Sequence, residues 1–255
     1  MTSPTPDRDL RASFDIAARF YKWRVPYPAN LFKGACDYLG LDRNASILDI
    51  CCGAGELAAG FADMVGRVAA IDFSEQMLAL APRHERIEYI RHDINGETPL
   101  PDSLRDTAFG CFAIGRAIHW VAEANLARAA ERNLKPDGCI LICGSGFHRE
   151  SPWVPVFRDF KERYAYPEGE KDHSGNAKLE RIGFAFAREL GTRHRTTVSL
   201  DDLTRHALSF ARSAELIHRN LQRFRSELAA EMAPYLVDGR LEGNIVSWMN
   251  VYRRR

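Results

Sequence analysis

The chain has 255 residues, 45% of them hydrophobic and 27% charged, enough apolar material for a substantial core under a solvated surface. Its 35 basic residues nearly balance 34 acidic ones, so the net charge of +1 gives no electrostatic case for nucleic acid or an anionic membrane. No apolar run approaches the ~18 residues of a membrane span, and the polar start Met1–Arg11 is no secretory signal, which makes a cytoplasmic protein the expectation.

Met1 to about Asp9 reads as irregular, and Leu10–Phe20 carries apolar residues at helical spacing. Pro26 and Pro28 break that pattern, and a second helix is expected from Ala29 to Leu39, stopping at Gly40. From Ser46 the chain alternates short apolar runs with helical stretches. Strands are expected at Ile47–Cys51, Val68–Ile71, Ile87–Arg91, Ala108–Ile114 and Cys139–Cys143, with helices at Glu56–Met64, Ser74–Pro82 and Asn125–Asn133. Apolar strands alternating with helices mark a parallel sheet covered on both faces, and right-handed crossovers make it a doubly wound α/β fold.

After Gly146 the pattern loosens. His148–Ser174 is rich in proline, aromatics and charge; a helix is expected at Leu179–Leu190 and a strand at Arg195–Ser199. Helices then run to about Tyr235, Asp238-Gly239 is a turn, and Asn244–Tyr252 closes the chain as a strand. The six cysteines have no metal-ligand spacing, so no metal is expected; most sit in or beside apolar runs as reduced, small hydrophobes.

The chemistry concentrates at Asp49-Ile-Cys51-Cys-Gly53-Ala-Gly55-Glu56 and at Asp72-Phe73-Ser-Glu-Gln-Met77. A strand enters a glycine turn that lets backbone approach a ligand closely, and a helix opens after it. Asp72 ends the second strand seventeen residues after Gly55, near the ~20-residue interval at which an acid meets ribose hydroxyls. Glu56 and Asp49 beside the turn repel the pyrophosphate of a dinucleotide and suit a ligand carrying a sulfonium and an ammonium.

On these residues the chain resembles the class I S-adenosylmethionine-dependent methyltransferases, in the small-molecule group that includes the trans-aconitate and ubiquinone/menaquinone enzymes. Asp93-Ile94, His119-Trp120 and Leu134-Lys-Pro-Asp-Gly138 extend the likeness over roughly residues 12–147. Two departures stand out: Cys51 replaces the usual first glycine, and Gly110 stands where the group has an acid.

The resemblance implies a mostly parallel, seven-stranded Rossmann-like sheet with a helical insertion after the fifth strand. It divides the chain into a helical lid (1–45), a cofactor core (46–147), a substrate-covering insertion (148–192) and a closing segment (193–255). It further implies S-adenosyl-L-methionine as cofactor and S-adenosyl-L-homocysteine as product. Asp72 then holds the ribose, with Phe73 beside the adenine and Met77 in the same motif. Asp93 accepts from the adenine amino group, and Ile94 lies near its ring. The Cys51 carbonyl and the Asp49 carboxylate receive the ammonium, Gly53 and Gly55 form the turn, and Gly115 and Arg116 line the methionine end. Tyr21, Arg24 or Tyr27 reaches that end too.

A base near the acceptor would be His119, at a strand end, or else His148. Tyr27, Trp120, Trp153, Phe157 and Tyr166 are candidate acceptor contacts, an aromatic lining that suits a flat or apolar molecule. The leading expectation is methyl transfer to a small-molecule oxygen or nitrogen, in specialised metabolism. A carboxylate methyltransferase using Arg149, Arg158 or Arg163 as clamp, and a non-catalytic binding protein, are the alternatives. A monomer or homodimer is expected, acting on neither nucleic acid nor membrane.

Overall fold

The computed structural model describes residues 8–167 and 175–255, so most of the irregular start expected over Met1–Asp9 lies outside the described residues. The chain forms two compact units. One comprises 27–144, 170–192 and 247–255; the other comprises 1–26, 145–169 and 193–246.

The first of these, the core unit, begins with α2 (Ala29–Leu39), α1 (Arg8–Arg19) belonging to the other. Gly40, left-handed at φ 66°, ends α2 where a glycine was expected to. Then come β1 (Ser46–Ile50), α3 (Glu56–Ala62), β2 (Arg67–Asp72), α4 (Glu75–Leu78), β3 (Ile87–Arg91), β4 (Phe109–Gly115), α5 (Glu123–Asn133), β5 (Leu134–Phe147), α7 (Gly175–Arg181) and most of β6 (Phe184–Val198). The end of β8 (Arg240–Arg254) closes it.

The sheet order is β3-β2-β1-β4-β5-β8-β6, with the two-residue β7 (Leu236–Val237) paired to β8 as an eighth strand. β1 through β5 pair in parallel. β8 opposes β5: the Arg253 side chain reaches the carbonyl of Asp137, while the His148 amide donates to Asn244, so the numbers run in opposite directions. The sheet is therefore mostly parallel, as the apolar runs implied.

Alternate residues of each strand enter two separate cores. Leu48, Ile71, Phe112 and Ile140 pack with Leu126 and Ala129 of α5 on one face. Ile47, Val68, Cys111 and Leu141 pack with Phe32 of α2 and Phe61 of α3 on the other. This two-sided burial is why the strands read as unbroken apolar runs. The cysteines are all free and, apart from half-buried Cys51, buried as small apolar residues.

The expected helix at Leu179–Leu190 is corrected. Helix α7 stops at Arg181, Gly183 turns the backbone at φ 85°, and β6 begins at Phe184. An edge strand leaves one side to water, so its charged pair Arg188-Glu189 imitates the polar face of a helix.

The other unit gathers α1, α6 (Trp153–Glu162), α8 (Leu200–Leu208), α9 (Ala214–Arg219) and α10 (Leu221–Met232) around its own core of Trp153, Phe157, Phe160, Phe224 and Leu228. The expected Asp238-Gly239 turn is present, both residues having positive φ, and it joins β7 to β8. Among the described residues no helix is long and apolar enough to cross a membrane.

Candidate functional site

The site begins on β1. Asp49 is 2% exposed. Its Oδ2 accepts the Ala58 amide of α3 at 3.0 Å, while its buried Oδ1 has no hydrogen-bond partner among the described residues. Burial, first of all, holds its carboxyl well above the usual carboxylate range; Asp72 and Glu56 add to the rise, and the Ala58 amide opposes it. A buried carboxylate oxygen left alone is costly. A positively charged donor would relieve it.

Beyond Asp49 the backbone turns through left-handed conformations at Cys51 (φ 55°), Gly53 (φ 56°) and Gly55 (φ 74°). A non-glycine residue there costs about 1 kcal/mol, so Cys51 carries the strain of a conformation that glycine adopts freely. Its thiol is pushed far up, first by burial and then by the carboxyls of Asp72, Asp49 and Asp93. It stays a neutral thiol. At Gly55 a side chain would collide with the Tyr89 hydroxyl as well as meet the wrong φ. That hydroxyl is buried without a partner among the described residues, and burial, helped by Cys52 and Asp49, pushes it up to about 12.

Asp72, 7% exposed, ties the turn to β2. Its Oδ2 accepts the Gly53 amide and its Oδ1 the Ser74 amide, each at 2.8 Å. Burial dominates the rise of its carboxyl above the normal range, and these two amides work against it. Each oxygen keeps lone-pair capacity for a hydroxyl. Phe73 is 49% exposed, and the Met77 amide donates to the Ser74 hydroxyl at 3.3 Å, capping α4. After β3, Asp93 is exposed and accepts the Asn95 amide at 2.9 Å, and Ile94 is buried. Gly115 ends β4, where a Cβ would lie 2.9 Å from Leu57 Cδ1. All the expected residues from Asp49 to Arg116 thus stand at or just beyond the carboxyl ends of β1 to β4, where open α/β sheets bind ligands.

Glu56 does not face a ligand uncompensated. Its Oε1 accepts the Tyr27 amide at 3.0 Å, and its Oε2 pairs with Arg116 at 3.0 Å. The Arg116 guanidinium lies 4.5 Å from the Tyr27 ring centroid, and the Tyr27 hydroxyl donates to the Cys143 carbonyl at 3.2 Å. Glu56 is a tie among three segments, and the electrostatic case against a pyrophosphate rests on Asp49. The sequence carries no signal for this latch, whose members are 29 and 60 residues apart from Glu56.

His119 and Trp120 lie on a single 3-10 turn after β4, with ring centroids 5.0 Å apart. His119 is half-buried and Trp120 36% exposed. Two residues absent from the sequence reading hold that turn. Lys178 of α7 donates to the Ile118 and Val121 carbonyls at 2.8 and 2.6 Å, and Asn95 donates to the Trp120 carbonyl at 2.8 Å.

The remaining candidates belong to the other unit. Tyr21 stands beside Arg24, whose Nε donates to the Ser209 carbonyl at 3.2 Å. His148 Nδ1 faces Glu150 at 3.5 Å. Trp153 is 1% exposed and donates to the Glu242 carbonyl at 2.8 Å, and Phe157 is 5% exposed; both fill this unit's core. The Tyr166 hydroxyl donates to Glu215 at 2.6 Å. A groove of about 620 Å³, lined in part by Arg163, Arg223, Glu227 and Glu231, has these charges paired with one another. Among the described residues no group of His, Cys, Asp or Glu is placed to hold a metal.

A family model described as a methyltransferase domain matches residues 47–138, the span from β1 to the start of β5. The demethylmenaquinone methyltransferase of Lactobacillus johnsonii is 27% identical over 185 residues, covering 64% of this chain and 70% of that protein. Among solved structures, a putative type II methyltransferase from Anaeromyxobacter dehalogenans superposes with a TM-score of 0.65 at 18% identity, over 91% of this chain and 97% of its own. An S-adenosylmethionine-dependent methyltransferase from Geobacter sulfurreducens, solved with S-adenosyl-L-homocysteine, superposes with a TM-score of 0.51 at 18% identity, over 96% and 98%. At these identities the structural likenesses speak for the fold.

Proposed function

Since this chain is a class I S-adenosylmethionine-dependent methyltransferase, we propose that it methylates an oxygen or nitrogen of a small, flat organic molecule, in specialised metabolism. The bound cofactor supplies an electrophilic methyl group on a sulfonium. The chain's own residues bind and align: Asp72 takes the ribose hydroxyls, and Asp93 with Phe73, Met77 and Ile94 takes the adenine. Asp49 and the Cys51 carbonyl take the ammonium, and Gly53, Gly55, Gly115 and Arg116 shape the methionine end.

The observation that carries this reading is the buried Oδ1 of Asp49, which has no partner among the described residues, beside a left-handed turn. It is an acceptor set for a cation rather than a phosphate. In-line methyl transfer is served mainly by alignment and exclusion of water. His119, held half-buried on its braced turn, is the proposed base that takes the acceptor's proton. A second reading follows from the demethylmenaquinone relative: the acceptor is a reduced quinone ring.

Titration calorimetry with S-adenosyl-L-homocysteine tests the cofactor site. Asp72→Ala removes the partner of two backbone amides and the ribose acceptor together, and binding should fall at least about 100-fold, roughly 3 kcal/mol or more at typical values for charged hydrogen bonds. Wild-type binding that Asp72→Ala leaves unchanged would overturn the assignment. A panel of phenols, amines and hydroquinones with labelled methyl donor then separates the acceptor readings.

A further inference from the structure

The turn that carries His119 and Trp120 is stitched to the loop after β3 by side-chain amides, all within the core unit. In that loop Asp93 Oδ1 accepts the Asn95 amide at 2.9 Å, and the Asp93 carbonyl accepts the Gly96 amide at 2.9 Å, closing a tight turn. The half-buried Asn95 side chain then reaches across to residues 120–122. Its Nδ2 donates to the Trp120 carbonyl at 2.8 Å, and its Oδ1 accepts the Ala122 amide at 2.7 Å. In return the buried Asn125, in the first turn of α5, donates to the Ile94 carbonyl at 2.8 Å.

A side-chain amide carries a donor and an acceptor side by side. Asn95 uses both on the carbonyl and the amide that flank Val121, much as a backbone peptide would, so residues 120–122 follow wherever the 93–96 loop stands. Lys178 braces the Ile118 and Val121 carbonyls from α7. The acceptor turn thus has one support on α7 and another on the loop that bears Asp93.

Asp93 itself is exposed, and its Oδ2 has no partner among the described residues. A carboxylate in water turns broadly about its last torsion. An adenine amino group on Oδ2 would hold the orientation that offers Oδ1 to the Asn95 amide, and so would fix the loop that grips the turn. We propose that Asn95 is a positioning residue that carries adenine occupancy at Asp93 to the acceptor turn, setting His119 and Trp120 once the donor is seated. The inference rests on Asp93 as the adenine contact. It requires the donor to bind more tightly when the turn is ordered, because a ligand shifts an equilibrium only by its differential affinity.

The test reads the turn directly and needs no acceptor. Hydrogen exchange of the full chain is followed by NMR at the Trp120 and Val121 amides, with and without saturating S-adenosyl-L-homocysteine. These amides donate to the Ala117 and Ile118 carbonyls, at 2.8 and 3.3 Å, so removing the Asn95 side chain leaves their own partners in place. In the wild type the ligand should slow their exchange about fivefold or more, the low end of ordinary coupling between sites. Methylthioadenosine, which keeps the adenine and lacks the methionine end, should do the same. Asn95→Leu keeps the size and loses both hydrogen bonds, and Asn95→Asp turns an acceptor toward the Trp120 carbonyl. In both variants the slowing should be lost while calorimetry still shows S-adenosyl-L-homocysteine bound, which also shows that they fold. Wild-type binding that leaves the two amides unchanged, slowing that persists in either variant, or slowing absent with bound methylthioadenosine would overturn the inference and leave the cofactor reading standing. No binding to the wild type would sink the two together.

Discussion

The two units satisfy their buried acids differently. In the core unit Asp49 and Asp72 flank the left-handed turn with backbone amides for partners, and the buried cation Lys178 donates to two carbonyls. In the other unit the buried acid Glu215 pairs with Arg219 and accepts from the Tyr166 hydroxyl. Oδ1 of Asp49 has no partner among the described residues, and burial holds its carboxyl above the usual range. One acid keeps an open acceptor, and the other is closed by a cation.

That contrast breaks most sharply at Asp49. Asp49→Asn keeps a group of the same shape but discards the charge, and binding of S-adenosyl-L-homocysteine should weaken about 10- to 100-fold, the ~1.5–3 kcal/mol of a charged hydrogen bond. The pH dependence follows from the raised folded-state pKa of the carboxyl. The folded chain holds that proton more tightly than the unfolded one. Its contribution to stability is full below the ordinary carboxylate range and is lost as pH rises through the elevated value. An ammonium favours the ionised form, so the ligand-induced rise in melting temperature should grow over the same range. Asp49→Asn should flatten both slopes, and slopes unchanged in that variant would mean that Asp49 does not meet the cation.

Much of this was legible in the sequence for a physical reason. Strands β1 to β5 are buried on both faces, so their apolar runs announce them, and the acids of the site sit at their ends where position along the chain is position in space. Legibility fails where a residue's meaning depends on a distant partner. Glu56 reads as a free charge until Tyr27 and Arg116 are found on it. Lys178 gives no hint that it caps the turn bearing His119. Trp153 reads equally as pocket lining or core, and its indole bond to the Glu242 carbonyl accounts for its burial by packing. The start of strand β6 reads as a helix because an edge strand has too little buried surface to fix its period.

A smaller effect sharpens the account of the core unit. Cys51→Gly removes a side chain from φ 55°, and the protein should gain up to about 1 kcal/mol, less the extra freedom glycine gives the unfolded chain. Thermal unfolding and the dissociation constant of S-adenosyl-L-homocysteine measure the two consequences, the latter tightening a few-fold at most. The smallest effect belongs to the exposed Arg163–Glu231 pair. Arg163→Ala should change stability by less than about 0.5 kcal/mol and leave binding of S-adenosyl-L-homocysteine untouched.

The contact between Tyr89 and Gly55 bears on how this chain can change over time. A side chain at 55 would meet the ring and hydroxyl of the tyrosine, so the two positions do not drift separately. A lineage in which position 89 shrinks first still faces the cost of φ 74° at position 55; one in which position 55 changes first meets the clash and the torsional cost in a single step. Substitutions at the two sites are thus expected to be strongly order-dependent, and the tyrosine works as a ratchet that keeps the glycine turn from being lost.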